Sequence, residues 1–470
     1  MEFRNLTPFP AQAFEGIDQH DQAFHVIVLR QTLNFASGRL RYADEQQALC
    51  EADEYFGDMN HSSVKQESDY CQYKPRCDVI VNATAYAPQG QPARQFFVSL
   101  TVRRPDQPAV LPEQPHGLSP VQGPTHQQMN AWREAVRHAG NHPVPGQTLI
   151  QKTLTIHGER AYTRNWLISS IFTLLKWSSL GLIQLNPWRL TRSRPVTQLP
   201  LRAEYAYGGE ARINADDPAA RRVSKKHRLS AQAPSQNYDI PPPGAIAIAH
   251  AAWEANPVGR GFTTRWYLKA KRCRRIPAPQ ITHPGAPVTA RWFWKIARGR
   301  YKADSGLPPA LQVSGMSVRS KGHPRRRCLV GTIDENFIRS DAWLPEDFDF
   351  AVWNAAPEDQ QTDYLQGDEV IELMNLCMPE APGANQTPEG DTQLRLQLPG
   401  HLCFTLLRMN DGAFCQQDMH IDTLIIEPDQ QTLTLIWRAI LPKNHDVGIR
   451  VCEARMQETP TRYSDIRAAA

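Results

Sequence analysis

Proline and glycine, 38 and 27 of the 470 residues, cut this chain into many short apolar runs, and no other feature narrows its fold so far. Proline ends helices and glycine supplies turns, so short runs flanked by them read as β-strands. His25 to Phe35 is rich in β-branched and aromatic side chains, and Ser37-Gly38 turns it back into Arg39 to Tyr42 as a hairpin. Asp78 to Tyr86, the turn Pro88-Gln89-Gly90 and Gln95 to Val102 repeat the pattern. Gln151 to Ile156 alternates polar and apolar residues, as a strand with one wet face requires. Toward the other end, Gln393 to Leu398, His401 to Arg408, Met419 to Ile426 and Thr432 to Leu441 read as strands. Asn410-Asp411-Gly412 is a hairpin turn signal. The expected class is mainly β: β-sandwich-like subdomains with a few short helices in insertions.

A single core stops growing at about 250 to 300 residues, so more than one core is expected. The composition divides the chain into an N-terminal sandwich-like subdomain over 1–165 with a Pro-rich insertion at 105–145, a hydrophobic insert at 166–188, and a C-terminal β-rich subdomain over 189–470 with long polar loops. In the Pro-rich insertion Thr125 and Gln128 form a capping box, and Met129, Trp132 and Val136 share a face. Gly140 offers a stop, so one short helix is expected there. In the hydrophobic insert Leu167, Ile168, Ile171, Phe172, Leu174 and Leu175 fall on one helical face and Ser169, Thr173 and Lys176 on the opposite one. Gly181 and Pro187 interrupt this helix before it reaches the roughly 20 apolar residues of a membrane span. Packing against the parent domain is its favoured role, with protein docking or membrane-surface contact as alternatives. Residues 210–250 are polar and Pro-rich and read as a long exposed loop.

The 52 basic and 48 acidic residues leave a formal net charge of +4, so bulk electrostatics calls for neither nucleic acid nor an acidic surface. The basic runs Lys225 to Arg228 and Arg325 to Arg327 read as solvated loop, with a phosphate-binding patch as the alternative. Nine cysteines without a Cys-x-x-Cys pair argue against a disulfide framework and a ribbon-type zinc site, and no metal or cofactor is expected. The start, Met1 to Pro8, lacks the basic and apolar regions of a signal peptide, which places the expected location in the cytoplasm without stable membrane insertion.

A series of short signatures runs along the chain: Lys74-Pro75 with Asp78, then Lys152 to Gly158 and Arg160, and Pro200 to Glu204 with Gly208-Gly209. Asn256-Pro257 with Gly259 and Gly261 follows, then Leu344-Pro345 with Asp347 and Asp349, Asn354 to Gln360, and Asp422-Thr423 with Trp437-Arg438. In this order they resemble a family encoded beside type VI secretion spike and toxin genes in Gram-negative bacteria. The resemblance implies an adaptor or chaperone that loads a toxin effector, joined to a spike-tip domain, onto the trimeric secretion spike. It also implies that the hydrophobic insert is particular to this chain. The motif residues themselves read as structural: the paired glycines suit a tight turn, and a strand pairing that sets Asp422 opposite Arg438 or its neighbour yields an ion pair of at most about 1 kcal/mol if exposed.

An enzyme on a β scaffold is the first alternative, and it would rest on Asp418, His420 and Asp422, which share a face if one strand carries all three. No nucleophile elbow, zinc-protease helix, phosphate loop or dinucleotide fingerprint accompanies them. An interaction module unrelated to secretion is the second alternative. For partner binding the candidate surfaces are the insert helix with Leu167, Ile171 and Leu174, the polar loop from Glu210 to Pro243, and the aromatic pair Trp292 and Trp294, which serves core or protein interface rather than nucleic acid.

Overall fold

Period-two burial makes strands of the apolar runs, and the strands then sort by which face must be covered. The computed structural model describes residues 1–59, 61–106, 112, 126–140, 144–164, 170–171, 186–229, 246–286, 288–299, 315–443 and 448–458. Its main strands are β1 (Ala11–Ile17), β2 (Ala23–Asn34), β3 (Cys77–Val81), β4 (Gln95–Arg103), β5 (Thr148–His157), β6 (Gln361–Thr362), β7 (Val370–Met374), β8 (Thr392–Gln397), β9 (His420–Glu427) and β10 (Thr432–Pro442). One seven-stranded sheet runs β1-β2-β10-β9-β3-β6, with Arg41–Tyr42 paired to the end of β2. A six-stranded sheet runs Ile281–Thr282, β5, β4, β7, β8, Ala384–Gln386. The class is mainly β, as the punctuation predicts, and the hairpin from β2 to Tyr42 and the pairing of β9 with β10 form at the expected places.

The two sheets share one core. Ile27 and Leu29 of β2, Val79 and Val81 of β3, and Leu433 and Leu435 of β10 meet Val98 and Leu100 of β4, Leu154 of β5 and Leu373 of β7, all buried in a single cluster. Strands from both ends of the chain are interleaved in each sheet: β3 lies parallel to β9, and β4 pairs with both β5 and β7. Residues assigned by composition to 1–165 and to 189–470 are thus direct neighbours. The strands on either side of Pro399-Gly400 go to different sheets, because Leu402–Met409 joins Glu2–Asn5, Phe414–Asp418 and Ile449–Gln457 in a separate four-stranded sheet.

A second, aromatic core belongs to residues 161–299. Tyr162, Trp188, Tyr207 and Phe293 pack together, with Tyr162 stacked on Phe293 at a centroid distance of 4.2 Å. The expected exposed loop at 210–250 is corrected in part: Glu210–Asn214 and Ala247–Ala252 pair antiparallel. Their buried residues are Ala211, Ile213 and Ala249, and one isoleucine between alanines gives little hydrophobic signal. Residues 230–245 lie outside the described ones. The expected helix of the Pro-rich insertion forms over His126–Gly140. Leu100 is fully buried at the centre of the sandwich, so Leu100→Ala is expected to cost about 2 to 5 kcal/mol, measured by denaturant unfolding at unchanged slope.

Candidate functional site

The outward face of the seven-stranded sheet, where polar residues are expected to meet water, is instead roofed over. Arg30 of β2, Asp78 of β3, Asp422 and Thr423 of β9 and Arg438 of β10 point to this face and are all buried. A bulge makes it possible. Ile421 pairs with Trp437 and Thr423 with Ile436, so Asp422 is the extra residue, and both it and Thr423 turn outward while Ile421 and Leu424 stay in the core. The carboxylate of Asp422 accepts from Arg438 Nε at 2.5 Å and from Thr423 Oγ1 at 2.9 Å. Lys74 Nζ donates to Thr423 Oγ1 at 2.8 Å and to Asp78 at 2.9 Å. Arg438 further donates to the carbonyls of Cys71 at 2.7 Å and Asp69 at 3.0 Å, and Arg30 reaches the Asp69 carboxylate at 2.9 Å.

The cations Lys74, Arg30 and Arg438 therefore face the carboxylates Asp78, Asp69 and Asp422. Burial alone lowers a cation's pKa, but for Lys74 the charges of Asp78 and Asp422 outweigh it, and for Arg438 that of Asp422 does, so both are raised above their usual values. The space at the centre, lined by Asp69, Lys74, Thr423 and Arg438, is about 10 Å³, room for one water at most. Such a layer admits no substrate. It fixes strands and loops in place.

The motif Asn354 to Gln360 is the strap that closes it. Asn354 Nδ2 and the backbone amides of Ala355 and Ala356 donate to Asp78, and Gln360 Nε2 donates to the carbonyls of Val79 and Met316. Lys152, from the other sheet, donates to Gln360 Oε1 at 2.7 Å and to Asp359 at 2.9 Å. Burial pushes Lys152 down to about 8, with Asp359 opposing.

The other motif residues hold joints. Glu204 accepts from the amide of Ser63, and Arg160 donates to the Pro279 carbonyl. Asn256 Nδ2 donates to the carbonyls of Ala203 and Tyr207. A Cβ on Gly208 would sit 2.0 Å from Asn256 O, and Gly209 has φ +111°, so glycine is required at both. A Cβ on Gly158 would meet Arg194 O at 1.7 Å. Gly259 and Gly261 flank the same Asn256-Pro257 corner. Trp437 Nε1 donates to Gln31, Asp347 accepts from Thr332, and Asp349 caps a turn through Ala351. Pro75 lies half-buried between Lys74 and Asp78.

Three expectations change. The Asp422–Arg438 pair forms, but buried, because a roof of loops covers it. Asp418, His420 and Asp422 do not come together: Asp418 ends a strand of the four-stranded sheet, His420 is exposed and stacks on Tyr364 at 4.9 Å, and Asp422 is held by Arg438. Arg326 is also no solvated residue; it is buried and pairs with Glu67, a contact across 259 positions that local sequence cannot signal. Leu167 and Leu174 lie outside the described residues, while Ile171 is 54% exposed. Trp292 and Trp294 pack half-buried on the aromatic core, under Lys295 at 4.7 Å and Arg298 at 5.5 Å respectively.

Over the roof lies a cleft of about 480 Å³, lined by Asp53, Tyr55, Ser63, Asn256, Arg319 and Lys321 among others. It is within the size range of ligand sites. Among the described residues no cluster of His, Cys, Asp and Glu could hold a metal, and no helix is long and apolar enough to cross a membrane.

With this geometry established, the sequence can be set beside known proteins. The family model described as "Uncharacterized protein conserved in bacteria (DUF2169)" matches residues 20–111 and 124–438. The chain belongs to this family. Its matched range includes the whole charge layer, the strap, the glycine corner and residues 166–188. No curated protein and no solved structure matches the chain.

Two outcomes test the site. Asp422→Asn and Arg438→Met each leave a buried ion unpaired and are expected to cost about 3 to 5 kcal/mol, while Asp422→Leu with Arg438→Met costs clearly less than the sum of its parts, as a double-mutant cycle by denaturant unfolding reads. Burial, aided by Arg160, holds His157 down at about 3, and burial, aided by Arg319, holds His323 down at about 4. The unfolded chain takes up protons near 6.5 that the folded chain refuses, so stability is full above that pH and falls as pH drops from about 6.5 toward 4. His157→Gln is expected to flatten this slope in melting scans across that range.

Proposed function

We propose that the protein is an adaptor that binds a toxin effector in the cytoplasm and loads it onto the trimeric secretion spike, with no reaction of its own. One observation carries the reading: the motif residues Lys74, Asp78, Asp422, Thr423 and Arg438 face one another in a buried layer of paired charges closed by the Asn354 to Gln360 strap, and the other motif residues hold joints of the fold. What those residues preserve is a shape. A shape held by buried charges that pair with one another suits a protein whose work is done by its outer surface.

The physics of the task is that of reversible shielding. A toxin with exposed apolar surface aggregates or acts on its host, and burying roughly 800 Å² on each partner is enough for a specific complex. The cleft above the roof supplies surface for it, and the effector's spike-tip domain supplies the hand-over. The expected outcome is that the product of the neighbouring toxin gene co-purifies with this protein. Deleting the adaptor gene should stop secretion of that toxin while other cargo still leaves the cell. Toxin secretion at wild-type level in the deletion strain overturns the reading.

A further inference from the structure

The stretch from Gly331 to Asp349 forms an arm clamped at its base. Asp347 accepts from the amide and the hydroxyl of Thr332, both at 2.7 Å, and the amide of Asp349 donates to Leu329 O at 2.9 Å. Gly331, at φ +88°, makes the corner, and a Cβ there would sit 2.8 Å from Asp347 Oδ1. The β1–β2 turn ties it at two points: Gln19 Nε2 donates to Phe348 O at 2.8 Å at the base, and Trp343 N donates to Asp21 at 3.3 Å further out. Between these anchors Asp334 caps the short helix Glu335–Arg339, its Oδ1 accepting from Asn336 N and Phe337 N at 2.9 Å.

What this fixed arm displays is apolar. Ile333, Ile338 and Trp343 are 62%, 71% and 74% exposed, so large hydrophobic side chains are held out in water by a frame that prevents their collapse. Exposed Trp and Ile on a rigid support are the composition of an interaction hot spot. The rim is acidic. Asp334, Glu335, Asp341, Glu346, Asp347 and Asp349 are exposed on the arm, and its one basic residue, Arg339, is paired with Glu335 at 3.0 Å. Asp18 and Asp21 border it from the β1–β2 turn. The nearby Arg325, Arg326 and Arg327 are engaged by Glu358, Glu67 and Glu254 and do not cancel this charge.

That concentration of negative charge, in a chain of formal net charge +4, selects the occupant. A second copy would set the same acidic rim against itself, and an anionic membrane surface would be repelled. We propose that the arm is the docking surface for a cationic amphipathic segment of the effector, apolar side chains on Ile338 and Trp343 and Lys or Arg side chains against the rim. The assignment rests on the adaptor reading in naming the effector as the source of that segment.

The test titrates a labelled Lys/Leu amphipathic helical peptide into the full-length protein, with a Glu/Leu peptide of equal length as control. The cationic peptide is expected to bind, and to weaken as salt approaches about 1 M, where the screening length falls to about 3 Å. Ile338→Ser with Trp343→Ala is expected to weaken it on the order of tenfold or more at unchanged melting temperature, and Glu335→Lys with Asp341→Lys to do the same. Equal binding of both peptides, or of variant and wild type, overturns the proposal, as does a dimer in sedimentation that the Ile338/Trp343 variant dissolves. Co-expression with the neighbouring toxin separates the two claims. A toxin that binds wild type and fails to bind the variant supports the arm. A toxin bound equally by both overturns the arm and leaves the adaptor reading standing; a toxin that binds neither, while the cationic peptide distinguishes the two proteins, overturns the adaptor reading and leaves the cationic docking surface standing.

Discussion

Six ionised groups lie buried against one face of the seven-stranded sheet, and the remaining architecture is arranged to keep them paired. Removing an ion from water costs several kcal/mol after relaxation, so each of Lys74, Arg30, Arg438, Asp69, Asp78 and Asp422 is tolerable only beside its opposite. The six come from β2, β3, β9, β10 and the segment leading into β3. A shifted strand register or a missing loop would strand at least one charge, so the layer couples pieces of chain that are hundreds of residues apart. The bulge at Asp422 serves the same end, because without it Asp422 and Thr423 could not share a face.

The strap from Asn354 to Gln360 extends this coupling to the second sheet. Its amides satisfy Asp78, and Gln360 ties the backbone of β3 to Met316 and to Lys152 of β5. At the end of β5, His157 N donates to the Gln280 carbonyl and Gln280 Nε2 donates back to the His157 carbonyl, and Arg160 donates to the Pro279 carbonyl. The sandwich is thereby joined to the aromatic lobe by buried polar contacts. The glycine corner at Gly208 and Asn256 completes that joint. Features open to other molecules lie at the surface: the cleft beside Asn256 and Arg319, and the clamped arm with Trp343.

The strands were legible because burial on one face imposes a period of two and because turn residues bracket each run. β4, for instance, alternates from Phe96 to Val102 with its odd-numbered residues turned outward. The motif residues were legible as a set, and their structural character was too. Their destination was not. Lys74 and Asp78 are four apart and read locally, but Thr423 and Asn354 meet them across 349 and 276 positions, and nothing in either segment announces the other. Thr423 shows the same gap more finely: strand alternation would turn it into the core, and only the bulge at Asp422, a property of the pairing with β10, brings it to the face of Lys74 and Arg438. The pairing of Glu210–Asn214 with Ala247–Ala252 escaped for a different reason, since apart from Ile213 its buried residues are alanines, which bury too little apolar area to mark a strand.

The sequence by itself determined the mainly β class, the positions of most turns and strands, the glycines that permit close backbone approach, and four residues of the charge layer, Lys74, Asp78, Asp422 and Arg438. Those follow from local rules of backbone geometry, side-chain period and turn chemistry. Only the tertiary structure decided which strands are neighbours, that both ends of the chain interleave in one sandwich, that the polar face of the seven-stranded sheet is roofed, and that Ile338 and Trp343 stay outside while Arg326 goes in. These outcomes depend on covering every buried charge and apolar face at once, a condition on the whole chain that no local stretch of it contains.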